Sequence, residues 1–214
     1  MSYTGLRSDV ISMIRVKPVN VLDVGCSNGV LLQYVKDQLG AQYTMGIELD
    51  DQLAKEATWK ADNVVHIDLD VFSVEVLGKK KFDLIILADV LEHTKDPSRV
   101  LCEVLKAATI DAEVIVSLPN IQHWTAIKNL LLGKWPRRER GLFDETHLRF
   151  FTLQSIVDLA AECGLEIDRT RRNLRILDSP RAWINPLSQF LGFWPVAPFF
   201  TYQYIVRLRR VRLI

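Results

Sequence analysis

The sequence has 214 residues, of which 49% are hydrophobic and 25% are charged, and its formal net charge is +1. This length and composition predict a single domain, residues 1–214, with a full apolar core and no second domain. The near-neutral charge gives no reason to expect nucleic acid as a partner. The first residues lack the apolar run of a signal peptide, and no segment has the ~20 apolar residues that span a bilayer.

The first half of the chain alternates short aliphatic runs with helical periodicity. Buried parallel strands are continuous aliphatic runs, and five segments have this pattern: residues 19–24, 43–49, 64–69, 82–88 and 113–118. A helix is predicted over residues 30–39, where Gly40 can end it, and another begins at Asp96-Pro97, with proline in the first helical position. The alternation predicts a Rossmann-like α/β fold with helices on both faces of a mostly parallel sheet.

The pattern changes after Pro119. Two more helices are predicted, followed by two final strands, at residues 121–132, 153–163, 165–172 and 201–209. Two long segments lie between these elements. Residues 133–151 form a charged and aromatic loop, and residues 173–200 form an insertion rich in proline and aromatic side chains. Loops of this length in a compact domain are usually functional or mobile, so we expect residues 133–151 to form a lid over a substrate.

The strongest site signal is Val-Leu-Asp-Val-Gly-Cys-Ser-Asn-Gly at residues 21–29. It predicts a buried strand, a tight glycine turn and a helix start, at the strand end where α/β sheets bind ligands. A dinucleotide fingerprint would need glycine where Ser27 and Val30 stand, and a P-loop would need a lysine that does not follow. The turn resembles that of class I S-adenosylmethionine (SAM)-dependent methyltransferases, with Ser27 in place of the middle glycine. The resemblance implies seven strands with an antiparallel last strand, SAM as cofactor and S-adenosylhomocysteine (SAH) as product.

The resemblance continues at the ends of the next strands. Glu48 can accept two hydrogen bonds from a ribose diol, and Asp68 stands where the family places an acidic residue near the adenine amine. Residues 89–93, Asp-Val-Leu-Glu-His, are similar to the family segment beside the methionine end of the cofactor. The cofactor site implied in this way has eleven residues: Asp23, Gly25, Cys26, Ser27, Gly29, Glu48, Leu49, Asp68, Leu69, Asp89 and Val90.

Residues 117–124 and 141–152 resemble the corresponding segments of a bacterial branch of this superfamily. The branch includes ubiquinone-biosynthesis O-methyltransferases, MetW-like proteins and methyltransferases of cell-surface polysaccharide clusters. The string Gly-Leu-Phe-Asp-Glu-Thr-His-Leu-Arg-Phe-Phe-Thr is most similar to the polysaccharide group. The resemblance implies methyl transfer to a small-molecule acceptor, a hydroxyl of a sugar or related metabolite in a surface-polysaccharide or lipid-linked glycan pathway.

Three alternatives stay open. The chain could be a non-catalytic, regulatory partner like the MetW-like relatives, or it could methylate a quinone precursor or an amine. A nucleic-acid methyltransferase using the basic C-terminus is disfavoured, because no Asn/Asp-Pro-Pro-Tyr/Phe signature follows the fourth strand.

An alcohol acceptor must lose its proton near the transition state, and histidine is the usual base. We predict that His147 is this base, that Asp144 orients it, and that His93 is the competing base. The alternative is that His147 and Arg149 only tie the lid to the body. The predicted substrate-binding residues are Glu92, Asn120, Trp124, Arg138 and Arg149. No metal is predicted, because the spacing of the acidic residues does not demand one.

Three cysteines, Cys26, Cys102 and Cys163, are far apart and form no Cys-x-x-Cys pair. We therefore expect neither a disulfide framework nor a zinc site, and a cytoplasmic, reducing location. Aromatic and cationic residues within 187–212 fit peripheral contact with the inner membrane face, a cap over the acceptor or a dimer contact. The oligomeric state is open, and a homodimer is compatible with the sequence.

Overall fold

The computed structural model describes residues 5–15, 17–179, 184–192 and 195–211. In these ranges seven strands form one sheet in the order β3-β2-β1-β4-β5-β7-β6. Strands β1 to β5 pair in parallel, and β7 is antiparallel to both β5 and β6, which confirms the predicted sheet. The strand bounds are β1 Asn20–Val24, β2 Tyr43–Glu48, β3 Asn63–His66, β4 Phe82–Ala88, β5 Ala108–Pro119, β6 Leu165–Leu174 and β7 Thr201–Arg210.

The described ranges contain seven α-helices. Their bounds are α1 Ser8–Ile11, α2 Val30–Leu39, α3 Asp51–Ala57, α4 Pro97–Leu105, α5 Trp124–Leu131, α6 Leu153–Glu162 and α7 Ala197–Phe200. Helix α2 has its predicted bounds and ends at Gly40, whose left-handed φ of 74° stops the helix. Helix α4 begins as predicted, with the Asp96 side chain as its N-terminal cap. Short helices in the insertion, Asn185–Leu191 and α7, were not predicted.

The sheet separates two apolar layers because successive strand residues point to opposite faces. In β1, Leu22 and Val24 face the layer formed with α4 and α6, whereas Val21 faces the layer formed with α1 and α2. The predicted helices on both faces are therefore confirmed. This packing holds the carboxyl ends of β1, β2 and β4 at one rigid edge.

Two of the three cysteines are paired, which the sequence did not predict. Cys102 of α4 and Cys163, directly after α6, form a disulfide, and their Cα atoms are 5.2 Å apart. The spacing along the sequence hid this pair because α4 and α6 come together only in the folded layer. Cys26 is free and buried. Unpaired cysteines were the reason to expect a reducing compartment, and the disulfide removes that reason.

We expect reduction of this disulfide to lower the free energy of unfolding by about 4 kcal/mol, because the bond closes a long loop in the unfolded chain. Its two cysteines are 61 positions apart. Urea unfolding with and without reductant measures the change, and the double variant C102S/C163S is the control that should not respond to reductant. A wild-type chain in which all three thiols react in urea without reductant would contradict the bond.

Candidate active site

A cleft of about 440 Å³ opens at the carboxyl ends of β1, β2 and β4. From β1 the chain builds the sheet outward through β2 and β3, and it then returns to place β4 on the other side of β1, so the strand order reverses here. Open α/β sheets bind ligands at this reversal, and ligand pockets commonly measure ~300–1,000 Å³. The position and volume of the cleft therefore suit a small organic ligand.

The glycine turn after β1 forms one wall of the cleft. The backbone N–H groups of Gly25 and Cys26 donate to the Ile47 carbonyl oxygen at 2.7 and 2.9 Å, which holds the turn against β2. Gly25 has a φ of +75°, and a Cβ on it would lie 2.2 Å from Cγ2 of Val90. Glycine is thus required here by both the backbone conformation and the available space.

Glu48 lies at the mouth of this turn and is buried. One carboxylate oxygen accepts from the Ser27 N–H at 2.7 Å, and the other accepts from the N–H groups of Leu49 and Asp50 at 2.9 Å each. A carboxylate has about four acceptor sites, so three backbone bonds leave about one. The predicted pairing with both ribose hydroxyls therefore requires that a backbone N–H share its acceptor oxygen.

Asp89 follows β4 and forms the centre of a polar network. One oxygen accepts from Ser117 Oγ at 2.8 Å and Gln203 Nε2 at 2.6 Å, and the other accepts from Arg7 Nη1 at 2.6 Å. Its φ is 58°, and within the described ranges Asp89 and Ser27 are the two non-glycine residues with positive φ. Strained conformations of this kind cluster at functional sites, and both residues line the cleft.

Arg7 is a cleft residue that the sequence reasoning missed. It lies before β1, 82 positions from Asp89, and no motif marks it. Burial lowers the pKa of Arg7, but the carboxylates of Asp89 and Asp9 outweigh burial and raise it, so the guanidinium stays charged. The cleft therefore carries a fixed cation next to a carboxylate.

Two buried groups below the turn are held neutral. Burial and the neighbouring Glu48 charge raise the pKa of Asp23 to about 8, so its carboxyl is mostly protonated at pH 7. Burial raises the pKa of the Cys26 thiol as well.

Asp68 lines the cleft beyond the end of β3, where it caps the short helix Leu69–Val71.

Residues 133–151, the predicted lid, line one side of the cleft in part, and His147 is one of the residues that they contribute. The N–H groups of Leu148 and Arg149 donate to the Glu92 carbonyl oxygen at 2.8 and 3.0 Å, which fixes the lid to the segment after β4. The His147 and His93 rings meet edge to face with centroids 4.8 Å apart. Both predicted bases therefore reach the same point of the cleft.

Asp144 also lines the cleft, and its carbonyl oxygen accepts from the His147 N–H at 3.2 Å. Its carboxylate acts on the His147 ring through its charge. Its Oδ1 accepts from the N–H and the hydroxyl of Thr146, at 2.9 and 2.6 Å. The Thr146 hydroxyl also lies 3.0 Å from Nδ1 of His93. Asp144 thus orders the turn that carries both Thr146 and His147.

Glu92 lies beneath the two histidines with 1% of its surface exposed. Its Oε2 has no hydrogen-bond partner in the described part of the chain, and burial, together with the Asp89 charge, raises the pKa of this carboxyl well above its usual range. Donor atoms of Glu92, His93 and His147 lie within 4.8 Å of one another, so this group could hold a metal ion. In the sequence, a metal site was judged from the spacing of acidic residues, and that spacing does not reveal a set that contains two histidines.

We expect His147 to titrate with a pKa below 6.5, the usual value for histidine. Burial is the main cause, and the neighbouring His93 charge also lowers the pKa. The carboxylates of Asp144 and Asp89 raise it, but by less. An NMR titration of the imidazole Cε1 proton measures this value, and the H147Q variant assigns the resonance. A pKa at or above 6.5 would contradict the half-buried, neutral imidazole described here.

The structure brings most of the predicted site together. The cleft is lined by fourteen predicted residues: Asp23, Gly25, Cys26, Ser27, Glu48, Leu49, Asp68, Leu69, Asp89, Val90, Glu92, His93, Asp144 and His147. Gly29 is not in the lining; it is the N-terminal cap of α2 and has a φ of 76°.

Four predicted substrate residues lie outside the lining. Asn120 Nδ2 donates to the carbonyl oxygens of Pro198 and Thr201, at 2.9 and 2.8 Å, and Trp124 Nε1 donates to that of Ile176 at 2.5 Å. The other two are also engaged elsewhere, since Arg138 pairs with Asp178 at 3.1 Å and Arg149 Nε donates to the Lys95 carbonyl oxygen at 3.0 Å. These side chains tie loops together.

Comparison with known proteins gives one family. The model of the methionine biosynthesis protein MetW matches residues 7–193. The ubiquinone biosynthesis O-methyltransferase of Idiomarina loihiensis is 32% identical over 117 residues, which are 53% of this chain and 46% of that protein. The corresponding enzyme of Neisseria meningitidis serogroup A is 30% identical over 105 residues, 47% of this chain and 44% of that protein. The chain thus matches less than half the length of these relatives.

Solved structures share the fold over nearly the whole chain. A SAM-dependent methyltransferase of Thermotoga maritima, described as a possible histamine N-methyltransferase, superposes with a TM-score of 0.67 at 16% identity and covers 95% of this chain and 86% of its own. The plantazolicin methyltransferase BpumL, in complex with SAH and a monoazolic desmethylPZN analogue, has a TM-score of 0.59 at 20% identity and covers 94% of this chain and 79% of its own.

Fold and cleft together define the fold of class I SAM-dependent methyltransferases: the strand order matches that of the solved structures, and the glycine turn and the carboxylate at the end of β2 stand at the cleft. Within that class, the chain belongs to the MetW family.

Proposed function

We propose that this protein binds SAM in the cleft and transfers its methyl group to a hydroxyl of a small-molecule acceptor. One observation carries the proposal. The same cleft is lined by the glycine turn with Glu48 and by His147 with His93, so groups suited to hold an adenosyl moiety and to accept a proton share one cavity.

The residues of the cleft fit the chemistry of SAM. Glu48 would accept from a ribose hydroxyl, and Asp68 would accept from the adenine amine. Arg7 would pair with the methionine carboxylate and Asp89 with its ammonium group, since both charges line the cleft. Leu69 and Val90 supply apolar surface for the adenine ring.

When bound, SAM supplies an electrophilic methyl carbon on a sulfonium. The chain's own contribution is alignment, because the lid is fixed to Glu92 and closes the cleft around the acceptor. His147 is neutral at pH 7, since its pKa is lowered, and it accepts the proton of the attacking hydroxyl. His93 occupies the same point of the cleft and is the alternative base.

For the acceptor we propose a sugar or a related metabolite of a surface-polysaccharide or lipid-linked glycan pathway. Arg140 lines the cleft from the lid, and Arg137 is exposed close to it in the sequence. Guanidinium groups bind the paired oxygens of a diphosphate, such as that of a nucleotide sugar or a lipid-linked sugar.

Two other functions have an observation in their favour. The curated relatives are named as O-methyltransferases of ubiquinone biosynthesis, which favours a quinone precursor as acceptor. Membership of the MetW family favours a role in methionine biosynthesis, for which the alternative of a non-catalytic, regulatory partner stays open.

Transfer of a labelled methyl group from SAM to a panel of nucleotide sugars, catechols and amines tests the proposal. We expect a sugar hydroxyl to be methylated and the H147A variant to be slower by about 10²–10⁴-fold, with SAM affinity unchanged, because a general base contributes this factor. Methylation of amines alone would contradict a hydroxyl acceptor. No transfer to any acceptor, together with a tight complex with a second enzyme, would favour the regulatory role.

A further inference from the structure

The outer side of the lid region carries a cluster of exposed apolar side chains. Leu130, Leu131 and Leu132, at the end of α5, are 56%, 83% and 58% exposed. Trp135 and Phe150 are 42% and 46% exposed, and their rings pack edge to face with centroids 5.3 Å apart. We name these five residues the lid patch.

The local backbone fixes this exposure. Gly133 has a φ of 64°, its N–H donates to the Leu130 carbonyl oxygen at 2.9 Å, and the Lys134 N–H donates to the Asn129 carbonyl oxygen at 2.8 Å. These bonds end α5 in a defined turn. An amphipathic helix needs apolar residues only along its buried stripe, so three successive exposed leucines are not explained by the core.

The segment that carries most of the lid patch is rich in cations, two of which, Arg137 and Arg138, pair with Glu145 and Asp178. Residues 128–140 contain five basic residues, Lys128, Lys134, Arg137, Arg138 and Arg140, and one acidic residue, Glu139. Leucine and tryptophan side chains enter the boundary between lipid headgroups and acyl chains, and lysine and arginine bind the anionic headgroups beside them. The combination matches the surface of an anionic bilayer in both polarity and charge.

We propose that the lid patch docks the protein onto a bilayer of anionic phospholipids. A second copy of the chain fits less well, because a two-fold contact places the same surface on both subunits and would bring the cations together. Five residues of the same segment line the cleft: Arg140, Gly141, Asp144, Thr146 and His147. Docking would therefore place the cleft entrance near the bilayer, within reach of an amphiphilic acceptor.

The sequence placed membrane contact within residues 187–212. Leu187 and Phe190 there are 50% and 78% exposed, but residues 193–194 and 212 lie outside the described ranges, so this contact remains a prediction. Within the ranges that the structure describes, no helix is long and apolar enough to cross a membrane.

Sedimentation with vesicles tests the lid patch without cofactor or acceptor, so its outcome is independent of the proposed reaction. We expect the full chain to sediment with vesicles of phosphatidylcholine and phosphatidylglycerol, and to bind phosphatidylcholine alone far more weakly. The L131S variant should bind about tenfold more weakly, whereas I110S, at a side chain that is 75% exposed in β5, should bind like wild type. K134E should weaken binding and K79E, at another exposed lysine, should weaken it less.

Two results would overturn the proposal. The first is that the wild type binds the vesicles, but L131S binds no more weakly than I110S and K134E no more weakly than K79E. The other is a wild-type dimer in sedimentation velocity that L131S converts to a monomer, since a second copy would then cover the lid patch.

Discussion

Replacement of Glu48 with glutamine is expected to weaken SAM binding by at least about a hundredfold. The carboxylate accepts from the N–H groups of Ser27, Leu49 and Asp50, and glutamine can accept at only one of its two terminal atoms. The glycine turn or the start of α3 must then move. The charge-assisted bond to the ribose, worth about 1.5–3 kcal/mol, is lost as well.

Equilibrium dialysis with labelled SAM measures this effect. Glu56→Gln is the matched control, because Glu56 is an exposed glutamate of α3 outside the cleft lining and its replacement should leave SAM affinity unchanged. Thermal unfolding separates a loss of affinity from a loss of the fold. A folded E48Q variant with wild-type affinity would show that the adenosyl moiety is not held at Glu48.

The second large effect is expected for Gly25→Ala, which should lower the free energy of unfolding by about 2–5 kcal/mol and also weaken SAM binding. A left-handed φ costs a residue with a side chain about 1–2 kcal/mol, and packing an extra methyl into a filled site costs about 1–3 kcal/mol. The added Cβ would lie 2.2 Å from Cγ2 of Val90, so the turn or the wall formed by Val90 must shift.

Gly164→Ala isolates the backbone part of this effect. Gly164 has a φ of +69°, and an added Cβ there meets nothing within 4 Å. Urea unfolding of both variants should therefore show a larger loss for Gly25→Ala, with SAM affinity reduced in that variant alone. Equal losses in the two variants would mean that the contact with Val90 does not constrain the turn.

The parts of the fold that were predictable depend on local signals. Helix α2 has its predicted bounds because aliphatic spacing and Gly40 define both of its ends. β3 is shorter than predicted, since the Asp68 side chain accepts from the Asp70 N–H and turns the chain into a short helix. β5 is longer, starting at Ala108, because pairing with β4 extends it through residues whose polarity does not mark a strand.

The predictable part of the site has the same origin. The glycine turn, Glu48 and residues 89–93 stand at the ends of strands, where the sequence pattern itself places them in one cleft. Arg7 and Gln203 could not be found in this way, because they reach Asp89 from opposite ends of the chain. The roles of Asn120 and Trp124 depend on carbonyl groups of the segment from Ile176 to Thr201, which no local pattern reveals.

Calorimetric titration of the wild-type protein with SAM, SAH and NAD tests the central claim most directly, namely that the cleft between the glycine turn and Glu48 holds an adenosyl group carrying a sulfur-linked amino acid. We predict saturable binding of SAM and SAH at one site per chain and no binding of NAD. Binding of NAD with no heat from SAM or SAH would contradict the account.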